Sequence, residues 1–115
     1  MISAVDLARN YFDLSNKGDL DGIQNLMTDQ TTYSSQNTGV FLGVSQIMDM
    51  QRKFFSTYSD LYWDIKSISE ERLGVVKIDF ELSGRAQDGA LLFRSGVEYV
   101  IVFNGKLQHL EIRNS

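Results

Sequence analysis

One histidine, no cysteine and fifteen acidic side chains are what this 115-residue chain offers for acid–base, nucleophilic or metal chemistry. A lone imidazole, His109, cannot build a His-rich metal centre, and the carboxylates are scattered rather than grouped at ligand spacing. No Gly-rich phosphate loop and no nucleophile elbow occurs. The absence of cysteine excludes disulfides and thiol nucleophiles. Ser-His-Asp chemistry has a histidine to work with, but His109 alternates with Glu111 and Arg113, so all three share one strand face that reads as a charged exterior.

The elements that would position any site are legible from spacing. Val5, Ala8, Tyr11, Phe12 and Ser15 recur at helical intervals, with Ser3 as the N-cap and Gly18 just past the end. Asp19 then offers its carboxylate to the free amides of a short second helix whose stripe is Leu20, Ile23 and Met27. Thr31, Thr32 and Tyr33 have strand chemistry. Ile47, Met50, Phe54 and Tyr58 predict a third helix ending near Ser59. From Leu61 the period becomes two: Leu61, Trp63 and Ile65 form one strand, and Val76, Ile78, Phe80 and Leu82 alternate in the next.

Asn104-Gly105, between two apolar alternating runs, predicts a hairpin, and Asp88-Gly89 marks another turn. A two-residue loop at Asn104-Gly105 sets Tyr99 opposite Leu110, Val97 opposite Ile112 and Ser95 opposite Asn114 on an inward face. The outward face then pairs Val102 with Leu107, Val100 with His109 and Glu98 with Glu111. A slip of one residue would exchange the two faces.

Composition predicts one small domain over residues 1–115. With 43% hydrophobic and 11% aromatic residues, the chain should bury roughly two-thirds of its unfolded surface without metals or cross-links. A net charge of -4 disfavours nucleic acid and anionic membranes as partners. The start, MISAVDLARNYF, has no basic segment or long apolar run, and no apolar stretch reaches the roughly 18 residues of a membrane span. The expected location is the cytoplasm, and no cofactor is expected.

The segment YFDLSNKGDLDGIQNLMTDQTT at 11–32 resembles the start of the nuclear transport factor 2-like superfamily, which includes ketosteroid isomerases and SnoaL-like polyketide cyclases. GVFLGVSQIMDMQRKF at 39–54, DFELSGR at 79–85 and FNGKLQHLEIR at 103–113 resemble its later elements, and their order carries the likeness over nearly the whole chain. The resemblance implies an α+β fold, three N-terminal helices on a strongly bent, mixed but mainly antiparallel sheet that forms a cone around an interior pocket. Its pattern puts Tyr99, Leu110 and Ile112 inside.

Ketosteroid isomerase chemistry needs a carboxylate base, an oxyanion tyrosine and a protonated carboxylic acid. The resemblance puts Tyr11 at the tyrosine, Ser35 at the base and Tyr99 at the acid, so one role in three keeps its residue. A serine cannot take a proton unaided, and no acid is expected beside it. Tyr11 and Tyr99 would be donors. The expected function is therefore a small apolar ligand bound in the cone by Tyr11, Ser35, Tyr58, Trp63, Phe80, Tyr99, Leu110, Ile112 and Asn114, with Tyr11 the catalytic candidate. Trp63, Phe80 and Phe103 also read as plain core, and Met27, Met48 and Met50 as gap fillers.

Two rivals stand beside that reading. One is a scaffold domain with a filled cone. The other is an isomerase, dehydratase or cyclase whose base is Asp29, Asp60 or, under a shifted register, Glu98. The like-charged Glu98 and Glu111 pair needs compensation from Arg94, Arg113 or a partner. The resemblance implies a homodimer through the outer sheet face, with Val75, Val100, Val102 and Leu107 as its apolar part.

Overall fold

Ser3 caps the first helix by accepting from the Asp6 amide at 3.0 Å, and α1 runs Ala4–Lys17. These coordinates are a computed structural model describing residues 2–115; Met1, where the expected domain begins, lies outside the described residues. Gly18 closes α1 at φ 68°, a left-handed position that costs glycine little. The Asp19 carboxylate accepts from the Gly22 amide and starts α2, Leu20–Gln24. Met27 is buried in the turn beyond that helix.

The remaining elements are β1 (Thr32–Ser35), β2 (Gly39–Leu42), α3 (Val44–Thr57), β3 (Tyr58–Arg72), β4 (Val75–Ala86), β5 (Leu91–Phe103) and β6 (Lys106–Asn114). They form one six-stranded sheet in the order β2-β1-β6-β5-β4-β3. Only β1 and β6 run parallel; the other neighbours are antiparallel. The fold is the α+β cone, three helices against one mixed sheet.

Apolar alternation on β4 places Val76, Ile78, Phe80 and Leu82 on the inner face, where they meet Leu7, Ala8, Tyr11 and Phe12 of α1 and Ile47 and Met48 of α3 in one core. Burying each such side chain contributes roughly 1.5–3 kcal/mol. Asn16 fastens α1 to the sheet: its Oδ1 accepts from the Trp63 amide at 2.7 Å and its Nδ2 donates to the Trp63 carbonyl at 3.0 Å. That double bond fixes where the Trp63 ring enters the cone.

Three expectations change. The third helix stops at Thr57, and Tyr58 already belongs to β3. Its fully buried residues are Ile47, Met48 and Gln51, so the helix is rotated relative to the expected stripe, leaving Met50 and Phe54 at the edge. Phe103, read as core, is 62% exposed.

The third change concerns the hairpin. Asn104 and Gly105 both take positive φ, 52° and 71°, and Phe103 faces Lys106 as expected. Then the ladder shifts: Val102 pairs with Leu107 but Ile101 pairs with His109, leaving Gln108 as an extra residue on β6. Leu107 and Leu110 are three apart, so a strict two-residue period would put one of them in water. The bulge lets both be 0% exposed. Beyond it every pairing moves by one. Tyr99 turns outward opposite Glu111, while Gly96, Glu98 and Val100 turn inward. Of the expected outer-face residues, Val100 and Leu107 are core and Val102 packs against it.

Candidate functional site

Between α1, α3 and the inner sheet face lies a cavity of about 70 Å³. At roughly 10–15 Å³ per water-sized group it holds a handful of such groups, a small molecule or one end of a larger one. Aromatic rings are prominent in its wall: Tyr11 and Phe12 from α1, Tyr33 from β1, Phe54 and Phe55 from α3, Trp63 from β3 and Phe80 from β4. Phe80 lies against Gly96, where a Cβ would stand 3.1 Å from the ring and 2.6 Å from the Arg113 carbonyl oxygen. Glycine is therefore required at that point of β5. At the mouth, Thr38, Met50 and Phe54 also border an open groove between β2 and α3.

Glu98 is the chemically decisive residue. It is 3% exposed, lines the cavity, and its Oε2 has no hydrogen-bond partner among the described residues. Burial, which penalises the charged carboxylate, raises its pKa from 4.5 to about 8. At neutral pH the side chain is mainly a carboxylic acid, a hydrogen-bond donor, with a minor ionised fraction able to act as a base.

Two phenols share that space. Burial raises the Tyr11 pKa well above its usual value, and the Glu98 charge adds to the shift. Gln51 Nε2 donates to the Tyr11 hydroxyl oxygen at 3.2 Å, leaving the phenol's own proton for a third group. Tyr33 is raised by the same two causes, with Thr38 and Arg94 opposing. Ser35, 8% exposed, also faces the cavity and accepts from the Asn37 amide at 3.1 Å. Three acidic protons, on Glu98, Tyr11 and Tyr33, thus border one apolar volume. Among the described residues no three His, Asp or Glu side chains converge as a metal site.

Of the residues expected at a site, Tyr11, Ser35, Trp63, Phe80 and Ile112 line this cavity. Tyr58 packs on Phe54 at 5.0 Å between ring centroids without joining the wall, and Leu110 is core outside the lining. Tyr99 is on the opposite sheet face, because the alternate β5 residues Glu98, Val100 and Val102 turn inward. Asn114 is exposed and exchanges amide hydrogen bonds with Asn37 at 3.0 and 3.1 Å. Glu98 puts an acid into the same cavity as Ser35, two strands away across Ile112 and not beside it. The expected Glu98–Glu111 pair does not form: Glu111 instead contacts His109 at 3.0 Å and Arg113 at 3.6 Å. Glu98, Tyr33, Gln51 and Arg94 were not singled out for the main site. Glu98 alone carried a signal, as the one acid among Gly96, Val100 and Val102.

The comparisons agree with the fold. A family model described as SnoaL-like domain matches residues 8–109. Among curated proteins nothing matches the sequence. A nuclear transport factor 2-like protein of unknown function from Exiguobacterium superposes with a TM-score of 0.83 at 17% identity, covering 95% of this chain and 98% of its own. A provisionally assigned polyketide cyclase from Pseudomonas putida gives 0.84 at 12% identity, with 100% and 93% covered. A hypothetical protein with a ketosteroid isomerase-like fold from Catenulispora acidiphila, solved with trimethylamine, gives 0.85 at 11% identity, with 96% and 85% covered. At such identities the structures share the fold alone. No helix among the described residues is long and apolar enough to cross a membrane. With the family match spanning most of its length, and with a fold shared with nuclear transport factor 2-like structures, the chain belongs to the SnoaL-like domain family.

Proposed function

We propose that the cone binds a small, mainly apolar molecule through one carbonyl or hydroxyl oxygen, and that Glu98 moves a proton on that molecule. The observation that carries this reading is the buried Glu98 carboxyl oxygen with no partner inside an aromatic cavity. A buried polar atom left unpaired costs free energy, on the order of 1–3 kcal/mol, which a ligand group supplying the missing hydrogen bond would recover.

The chemistry follows from the donors. A carbonyl oxygen near Tyr11 and Tyr33 would accept from both phenols as negative charge develops on it. The ionised fraction of Glu98 would then remove a proton from the adjacent carbon and return it elsewhere on the same molecule. A carboxyl titrating at about 8 suits that exchange near neutral pH. Both cyclisation and isomerisation of enolisable substrates need this step. Ser35 adds a hydroxyl at the wall, without a role in proton transfer.

Trp63, the single tryptophan, lines the cavity and provides the readout. Saturable quenching of its fluorescence by phenol or 2-cyclohexenone is expected, weakened in Glu98→Gln and Tyr11→Phe. No saturable change up to millimolar probe, in a protein shown to be folded, would refute the reading. The scaffold alternative would then gain ground from the outer sheet face, where Tyr62, Leu91 and Phe93 stand exposed. That same face supports the homodimer we propose, and its apolar part keeps Val75 and adds Tyr62, Phe93, Val97, Tyr99 and Ile101 in place of Val100, Val102 and Leu107.

A further inference from the structure

Among the described residues, Arg94 is the single basic residue lining the cavity. It sits on the same face of β5 as Glu98, four residues away, roughly 13 Å along the strand. Its guanidinium lies over the Phe54 ring, 5.9 Å from the centroid, and its strand neighbour across β4 is Leu82. It makes no ion pair among the described residues, although acids outnumber bases fifteen to eleven in the chain. Stacking on an aromatic face holds the planar fork without using its in-plane N–H donors. A cation kept in place against apolar walls, with its donors unclaimed, is arranged for an anion that arrives from outside.

We propose that Arg94 anchors a carboxylate of the ligand, so that the molecule taken by the cone is a small organic monoanion. Its carboxylate lies at the Arg94 end, its apolar body fills the aromatic space, and its neutral carbonyl or hydroxyl oxygen reaches Glu98, Tyr11 and Tyr33. This rests on the ligand-binding reading above and adds the ligand's charge and polarity. One cation balances one negative charge, which disfavours phosphate dianions. The planar guanidinium matches the two oxygens of a carboxylate in bidentate geometry. The far end of the cavity does not oppose the anion, because the acid there is mainly neutral when it binds.

The test uses four one-ring probes read by Trp63 fluorescence and calorimetry: phenol, 4-hydroxybenzamide, 4-hydroxybenzoate and benzoate. In the wild type, 4-hydroxybenzoate should bind roughly tenfold or more tighter than the isosteric amide. Arg94→Gln should remove that preference while leaving phenol and amide affinities unchanged, and Arg94→Lys should restore part of it. Benzoate, lacking the second oxygen, should bind more weakly than 4-hydroxybenzoate. Equal affinities for acid and amide in the wild type would overturn the carboxylate anchor while phenol binding still upheld the parent reading. An equal loss for all probes in Arg94→Gln would also overturn it, since Arg94 would then only support Phe54. Failure of every probe, phenol included, would sink both.

Discussion

Glu98 stands opposite Ile112 across the β5–β6 ladder, both turned into the cone, and not opposite Glu111. The cause is one extra residue on β6, Gln108, inserted between the Leu107 and His109 pairings. A strand has a side-chain period of two, so the insertion exchanges faces for the β6 residues beyond it. It turns His109 and Glu111 outward and so breaks up a like-charge pair, while Glu98 keeps the face of the unbroken β5 that it shares with Val100 and Val102 and points into the aromatic cavity. Glu111, left outside, finds His109 and Arg113. Thr32 completes that outer chain with a 2.7 Å contact to His109 Nδ1, tying β1 to β6.

Burial of Glu98 makes stability depend on pH in a defined direction. Its carboxyl titrates at about 8 when folded against 4.5 when free. Below about 4.5 both states are protonated and the group contributes nothing. Between there and about 8 the folded state retains a proton that the unfolded state has released, so stability falls as pH rises and then levels off. The full loss is on the order of 5 kcal/mol. Urea midpoints measured between about pH 5 and pH 8 should decline in the wild type and stay flatter in Glu98→Gln. Parallel profiles would show that Glu98 is not buried in this way.

Tyr11→Phe tests the donor role. Losing the hydroxyl strands the Gln51 amide, 8% exposed, at a cost of about 1–2 kcal/mol in stability. Any proton-transfer activity found should fall about 10²- to 10³-fold, the usual loss for one oxyanion donor. The double variant Tyr11→Phe with Gln51→Leu should regain stability in denaturant titration without regaining activity. Recovery of both would make Tyr11 a packing residue.

Gly96→Ala probes the cavity wall. The added methyl would meet the Arg113 carbonyl oxygen at 2.6 Å and Phe80 at 3.1 Å, so strand and ring must both shift. A loss of roughly 1–3 kcal/mol is expected, together with altered Trp63 emission as Phe80 is pushed into the cavity. Unchanged stability by thermal denaturation would place the ring elsewhere.

The outer sheet face predicts self-association. Phe93 is 63% exposed and Leu91 76%, on the same side as Val97, Tyr99 and Ile101. Exposed apolar area of this kind marks an interface. Sedimentation equilibrium at micromolar concentration should give a dimer mass, and Phe93→Asp should shift it toward 13.1 kDa. A monomeric wild type would end the dimer proposal.

Local chemistry determined much of this protein before any coordinates. Ser3, Gly18 and Asp19 are capping residues whose roles depend on neighbours within four positions, and each acts as its type dictates. The alternation of Val76, Ile78, Phe80 and Leu82 likewise names the inner face of β4, because every second residue shares a side. Tyr11 reaches the cavity because helical period and helix start together place it there. Tertiary structure alone decided the acid. The face of β5 that carries Gly96, Glu98, Val100 and Val102 turns inward because it packs on the core, and the β6 bulge lets Leu107 and Leu110 both join that core while Glu111 turns outward. A turn dipeptide sets register at the loop but holds no information about a residue inserted further along the ladder. The carboxyl in this cone is therefore placed by which face of β5 packs on the core, and Gln108 lets β6 follow with Leu107, Leu110 and Ile112 all inward.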